Sequence, residues 1–170
     1  AAQGVRQAEI FWNPTGTARD TGIPYAAGAD AILAAFADAK HDHGISALLI
    51  PSIDREADPE AAVEMVDWMR GHRRDRIVGL GIDYRETDHP PEFFWKAYRA
   101  AKRAGFRLSA HAGEFGCHWR NVETALDLLE VERIDHGYTV LDNPALARRC
   151  ADRGIVFTVV PTNSYYMRKL

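Results

Sequence analysis

Three short stretches of the chain set histidine and carboxylate side chains close to glycine. They are Gly81-Ile82-Asp83-Tyr84-Arg85-Glu86, Ser109-Ala110-His111-Ala112-Gly113-Glu114 and Arg133-Ile134-Asp135-His136-Gly137. A neutral imidazole such as His111 is a good zinc ligand, and zinc lowers the pKa of a bound water to about 7. A nearby carboxyl group, Glu114, can pass a proton to or from the reacting atom. A second histidine, His136, can hold and deprotonate the attacking water. Gly113 has no side chain and lets a substrate approach the backbone. Together these types spell metal-assisted hydrolysis. A lone histidine of this kind is more often a hydrogen-bonded surface group. Two of them near glycines, with Glu114 close by, weigh against that reading. Asp83 and Glu86 read as substrate-binding candidates and, at even weight, as caps or ion-pair partners. Arg133 and Glu132 read as a solvated or packing pair.

Chemistry at these stretches requires that they sit on one rim of a fold. Apolar runs of four to six residues alternate with helical patterns throughout. The predicted strands are Val5–Phe11, Ile45–Pro51, Arg76–Asp83, Phe106–His111, Val131–His136 and Ile155–Val160. Their Ile, Val and Leu content is that of buried parallel strands. Asp58-Pro59, Pro90-Pro91 and Asn143-Pro144 open helices, and Gly71, Gly105 and Gly154 follow their ends. The Pro90-Pro91 helix carries Phe94, Trp95 and Tyr98 on one face. A further helix runs from about Ala29 to Lys40, while Asn13–Pro24, rich in Gly, Thr and Pro, reads as a surface loop. This is βα repetition around a parallel sheet. Six units in 170 residues is roughly 28 residues each, against about 31 in an eightfold barrel. The density fits a barrel two strands short, and a doubly wound open sheet is the alternative. The first strand is not followed by Gly-x-Gly-x-x-Gly, which weakens a dinucleotide-binding version. In either fold, ligands bind at the carboxyl ends of the strands, where all three stretches fall.

One pair of histidines is set aside. His41-Asp42-His43 has the spacing that places two ligands on one face of a strand. It follows a helix and precedes a strand, so it belongs to the opposite rim, where histidines complement a helix dipole. His72 reads as a helix-end residue, and Cys117-His118 is short of any zinc spacing.

Composition removes several classes. Hydrophobic residues are 46% and charged residues 26% of 170, enough to bury a core in a single domain over residues 1–170. A net charge of −3 argues against nucleic acid held by phosphate neutralisation. The apolar runs are too short to span a membrane. Cys117 and Cys150 make no disulfide framework, so a cytoplasmic location is expected. The chain opens Ala1-Ala2-Gln3-Gly4 and enters a strand almost at once, and it stops soon after another. It reads as a piece of something longer.

His111-Ala112-Gly113-Glu114 followed by Arg133-Ile134-Asp135-His136-Gly137 resembles the metal-dependent adenosine deaminase family of the amidohydrolase superfamily. Supporting matches are Ala8-Glu9-Ile10 with Pro14, Gly79 to Glu86, and Val160-Pro161, so the resemblance covers nearly the whole chain. It implies a (β/α)8 TIM barrel of which these six strands are similar to the second to seventh. It implies that His111 is a zinc ligand, Glu114 the proton donor to purine N1, and His136 the group that orients and deprotonates water. The implied reaction is hydrolytic deamination at C6 of an adenine ring. The family's His-x-His pair belongs on the first strand and its metal-binding Asp on the eighth. The chain alone is therefore expected to hold Zn2+ weakly and not to turn over. Asp135 and His89-Pro90-Pro91 resemble the adenine-deaminase branch, whereas Pro161-Thr162-Asn163-Ser164-Tyr165-Tyr166 departs from the usual pattern, and bulky Phe115 narrows the pocket. The expected partner is a purine nucleoside or free base, with a slight lean to the nucleoside. Two alternatives stay open: another metal-dependent amidohydrolase, and a non-catalytic α/β binding module with a degenerate site.

Overall fold

Local capping chemistry sets the helix boundaries in the structure, a computed structural model that describes residues 2–114 and 116–161. Asp58 accepts from the Glu60 N–H at 2.9 Å, and Pro59 opens the helix Pro59–Gly71. Asn143 accepts from the N–H groups of Ala145 and Leu146 before Pro144–Asp152. Such caps satisfy donors that have no partner inside the helix.

In chain order the elements are β1 (Gln7–Trp12), α1 (Pro14–Thr21), α2 (Tyr25–His43), β2 (Ser46–Asp54), α3 (Pro59–Gly71), β3 (Gly79–Asp83), α4 (Trp95–Arg103), β4 (Arg107–Ala112), α5 (Arg120–Asp127), β5 (Arg133–His136), α6 (Pro144–Asp152) and β6 (Val156–Thr158). Short 3-10 turns cover Pro91–Phe94 and Tyr138–Asp142.

Two expectations are corrected. Asn13–Pro24 is not a loop, because Pro14–Thr21 is helical. Asn13 caps it by accepting from Gly16 N–H, Pro14 takes the first turn, and Gly22 ends it in the left-handed region. The cap signal outweighs the poor helix propensity of Gly and Thr. Tertiary bonds add to it, since Trp12 Nε1 donates to Thr17 Oγ1 at 2.9 Å and Asn13 Nδ2 to the Ser52 carbonyl at 3.2 Å. The second correction concerns Trp95. Phe94 and Tyr98 are buried, but Trp95 is exposed and lies under the Arg99 guanidinium.

The sheet runs β1-β2-β3-β4-β5-β6, each neighbouring pair parallel. A doubly wound sheet reverses its strand order at a switch point, and this order has no reversal. The sheet also curls. In a flat sheet β1 and β5 would lie about 19 Å apart, four spacings of about 4.8 Å. Instead Glu9 of β1 and Arg133 of β5 form an ion pair, and the Phe11 ring of β1 meets His111 of β4 edge-on at 5.3 Å. A sequentially ordered, curled parallel sheet is part of a barrel wall.

The convex face carries the core. Leu49, Ile53, Leu80, Ile82, Leu108 and Ile134 pack with Met65 and Met69 of α3, Tyr98 of α4 and Leu126 of α5. Tyr98 keeps its phenol satisfied by donating to the Ser109 carbonyl at 2.7 Å. The concave face bounds a cavity of about 480 Å³ that includes Glu9, Leu48, Ile50, Ser109 and Arg133 in its lining.

Candidate active site

Each candidate side chain leaves the sheet at or just past the carboxyl end of a strand. His111 is in the last turn of alternation of β4, and its concave-side position in register opposite Asp135 of β5 puts both side chains on one face. His136 ends β5 with φ +73°, a left-handed conformation that costs a non-glycine residue roughly 1–3 kcal/mol. That turn sets the His136 ring 4.8 Å from the His111 ring, with Nε2 3.5 Å from Glu114 Oε2. On its other side, His136 Nδ1 is 3.3 Å from the Tyr138 hydroxyl, which accepts from the Val160 N–H at 3.1 Å. Glu114 and His136 are both buried.

The sharp turn after His111 depends on Gly113. Its φ is +69°, and a Cβ there would lie 2.6 Å from Thr139 Oγ1 and 2.8 Å from Val122 Cγ2. Protein atoms therefore fill that side of Gly113, so the packing requires glycine whatever approaches from the other side. Glu86 holds the turn from below. Its Oε1 accepts from Gly113 N–H at 2.9 Å and from Asn121 Nδ2 at 2.8 Å, and its Oε2 accepts from Glu114 N–H at 3.0 Å. Glu86 is thus a brace for the backbone that presents Glu114.

The electrostatics favour a neutral imidazole. Burial first, then the Arg55 and Arg133 cations, push His111 down to about 4. Neutral imidazole is the form that binds a metal. Asp83 is driven up to about 6, chiefly by burial, with Asp54 adding to the rise and Ser52 and Arg55 opposing it. Burial also lowers the pKa of Arg55, whose guanidinium is fully buried beside Glu86 and Asp83. Arg55 was not singled out from the sequence. The signal that would have found it is an arginine immediately after a strand that carries the site. Tyr138, Asn121 and Thr158 were likewise missed, since each matters only through a contact distant in the fold or around a turn.

The structure brings His111, Gly113, Glu114 and His136 together, with Glu86 beneath them. Asp83 lies at the neighbouring end of β3. The Arg133–Glu132 pair does not form. Arg133 pairs with Glu9 and lies 3.4 Å from Asp135, while Glu132 pairs with Arg107. Side chains alternate across the sheet, so adjacent residues face opposite ways. His41 and His43 are in the last turn of α2, ahead of β2 and so at the far rim. His72 caps α3 and bonds Asp30 at 2.9 Å. Phe115 and residues 162–166 lie outside the described residues. As a metal site, His111 fits as one ligand, being a half-buried imidazole that its surroundings keep neutral. Among the described residues no group of three or more His, Cys, Asp or Glu is placed to hold a metal. None of His111, Glu114 and His136 is among the residues lining the concave cavity.

The family model for adenosine deaminase matches residues 1–169. The chain belongs to the adenosine deaminase family. Adenine deaminases of Streptomyces coelicolor and Cupriavidus metallidurans are each 40% identical to it, over 99% and 96% of the chain. Those matches cover 48% and 46% of the two relatives, so the chain spans about half their length. An amidohydrolase from Burkholderia ambifaria, solved with bound Zn, is 66% identical with a TM-score of 0.96, over 99% of this chain and 46% of that one. The adenine deaminase of Arthrobacter aurescens superposes with a TM-score of 0.92 at 34% identity, over 99% and 51%. No helix among the described residues is long and apolar enough to cross a membrane.

Proposed function

We propose that the full-length protein containing this chain is a zinc-dependent aminohydrolase that replaces the C6 amino group of adenine with oxygen and releases ammonia. The observation that carries this reading is the buried Glu114–His136 pair, 3.5 Å apart, beside the neutral ring of His111. His111 would be one ligand of the zinc, with the remaining ligands supplied by other parts of the longer protein. When bound, zinc supplies Lewis-acid activation of water. His136 orients that water and takes its proton as the oxygen adds to C6. Glu114 gives a proton to N1, so that charge does not build up on the ring. Glu86 keeps the Glu114 backbone in place, and Asp83 and Gly113 border the bound purine. The 40%-identical relatives named adenine deaminase support the free base ahead of the nucleoside. The Zn-bound relative at 66% identity supports zinc as the metal.

The test is spectrophotometric loss of adenine, with adenosine in parallel, using full-length protein loaded with zinc. Replacing Glu114 by Gln removes the donated proton, and kcat is expected to fall about 10²–10⁴-fold. A rate within tenfold of wild type, on the scale of that expected loss, excludes Glu114 as the proton donor. Adenosine turnover exceeding that of adenine restores the nucleoside.

A further inference from the structure

His111 and Asp135 occupy the same register position on adjacent strands, and Thr158 occupies it on the next. Their side chains therefore lie side by side on the concave face. Thr158 Oγ1 donates to Asp135 Oδ1 at 2.5 Å. That bond fixes the carboxylate and turns its other oxygen, Oδ2, toward the ring. Asp135 Oδ2 is 3.8 Å from His111 Nδ1. Both atoms are buried and neither has a hydrogen-bond partner. A small rotation of either side chain brings them into hydrogen-bond range, and leaving both unmade would cost the desolvation of each. Arg133 lies 3.4 Å from Oδ1 and is itself tied to Glu9, so the carboxylate has fixed neighbours on its far side. The other acceptor near the ring is the Ile82 carbonyl.

We infer that Asp135 is a positioning residue for His111: it accepts the Nδ1–H, holds the ring in the tautomer whose Nε2 lone pair is free, and is held in turn by Thr158. A carboxylate behind a ligating histidine orients the ring and raises its basicity. Asp135 thus reaches the metal only through His111, and His111 is pre-set before any ion arrives. This role rests on the reading of His111 as a metal ligand, and it concerns the metal site, not the purine.

The test uses metal-free full-length protein labelled with 15N-histidine, in which two-bond 15N–1H correlations report the His111 tautomer. Wild type is expected to hold the Nδ1–H form. Asp135→Ala is expected to give a mixture or the Nε2–H form, and Thr158→Val a smaller shift in the same direction. Zinc affinity, read by competition with a chelator, is expected to weaken about 10–100-fold in Asp135→Ala. A folded Asp135→Ala protein with the wild-type tautomer overturns the inference and assigns Nδ1–H to the Ile82 carbonyl. Where Asp135→Ala does not fold, Thr158→Val decides: an unchanged tautomer overturns the proposal and a shifted one supports it. Neither readout uses purine turnover. A protein that binds zinc with the expected tautomer yet leaves adenine intact defeats the proposed function alone.

Discussion

The Glu86 carboxylate has three donors on two oxygens, and that arrangement ties the geometry of the site to the stability of the fold. Replacing Glu86 by Gln keeps one acceptor oxygen and turns an NH2 toward a backbone N–H. One buried donor, on Gly113 or Glu114, is then left unpaired, which costs about 1–3 kcal/mol. A urea titration is expected to show that loss, and an unchanged midpoint would mean that the brace is not under load. Asp83 yields a pH dependence of the opposite kind. Its carboxyl is raised to about 6 in the fold from an ordinary 3.8. Folding therefore favours its protonated form, so this contribution to stability is full below about 4 and is lost as pH rises through about 6. The shift corresponds to about 3 kcal/mol at most. Asp83→Asn is expected to flatten the fall in unfolding free energy between these pH values. A slope equal to wild type would show that Asp83 titrates normally.

Among the elements, α1 is held less by its own propensity than by its ends. Asn13 caps it and also bonds the Ser52 carbonyl of β2, so one side chain joins β1, α1 and β2. Asn13→Ala removes both links, and a loss of about 1 kcal/mol or more is expected in thermal or urea unfolding. A loss near zero would show that Pro14 and Gly22 suffice to bound the helix. At β5 the element ends in two consecutive left-handed residues, His136 and Gly137. A Cβ on Gly137 would fall 2.3 Å from Phe157 Cδ1, so this turn leaves no room for a side chain. The strand end is built to swing the His136 imidazole back over the sheet toward Glu114.

At the scale of the molecule, the curl of the sheet brings β1 within contact of β4 and β5 and leaves the concave cavity between them. β1 and β6 are the outer strands of the described sheet. One firm metal-ligand candidate, His111, lies on it, and the relatives are about twice as long. The isolated chain is therefore expected to carry well under one equivalent of zinc by elemental analysis, and the full-length protein about one, as three or four protein ligands make a zinc site. One equivalent held tightly by the isolated chain would require a different ligand set.

The sequence alone was enough for the six strands in order, the capped starts of α3 and α6, the placing of His41 and His43 on the far rim, and the nearness of His111, Glu114 and His136 to one another. Caps and strand ends depend on residues a few positions apart, whose spacing reports on them directly, while the grouping of His136 with His111 and Glu114 followed from two strand-end motifs and the family resemblance they carry. It misread Asn13–Pro24, where a cap competes with weak helix formers, and it paired Arg133 with its sequence neighbour Glu132. The tertiary structure decided what depends on register and curvature. Arg133 meets Glu9 across 124 positions, Glu86 braces a turn 27 residues away, and Thr158, Asp135 and His111 form one row across three strands. Side-chain spacing along a strand says which face a residue takes, but only the pairing of strands says which residue lies beside it.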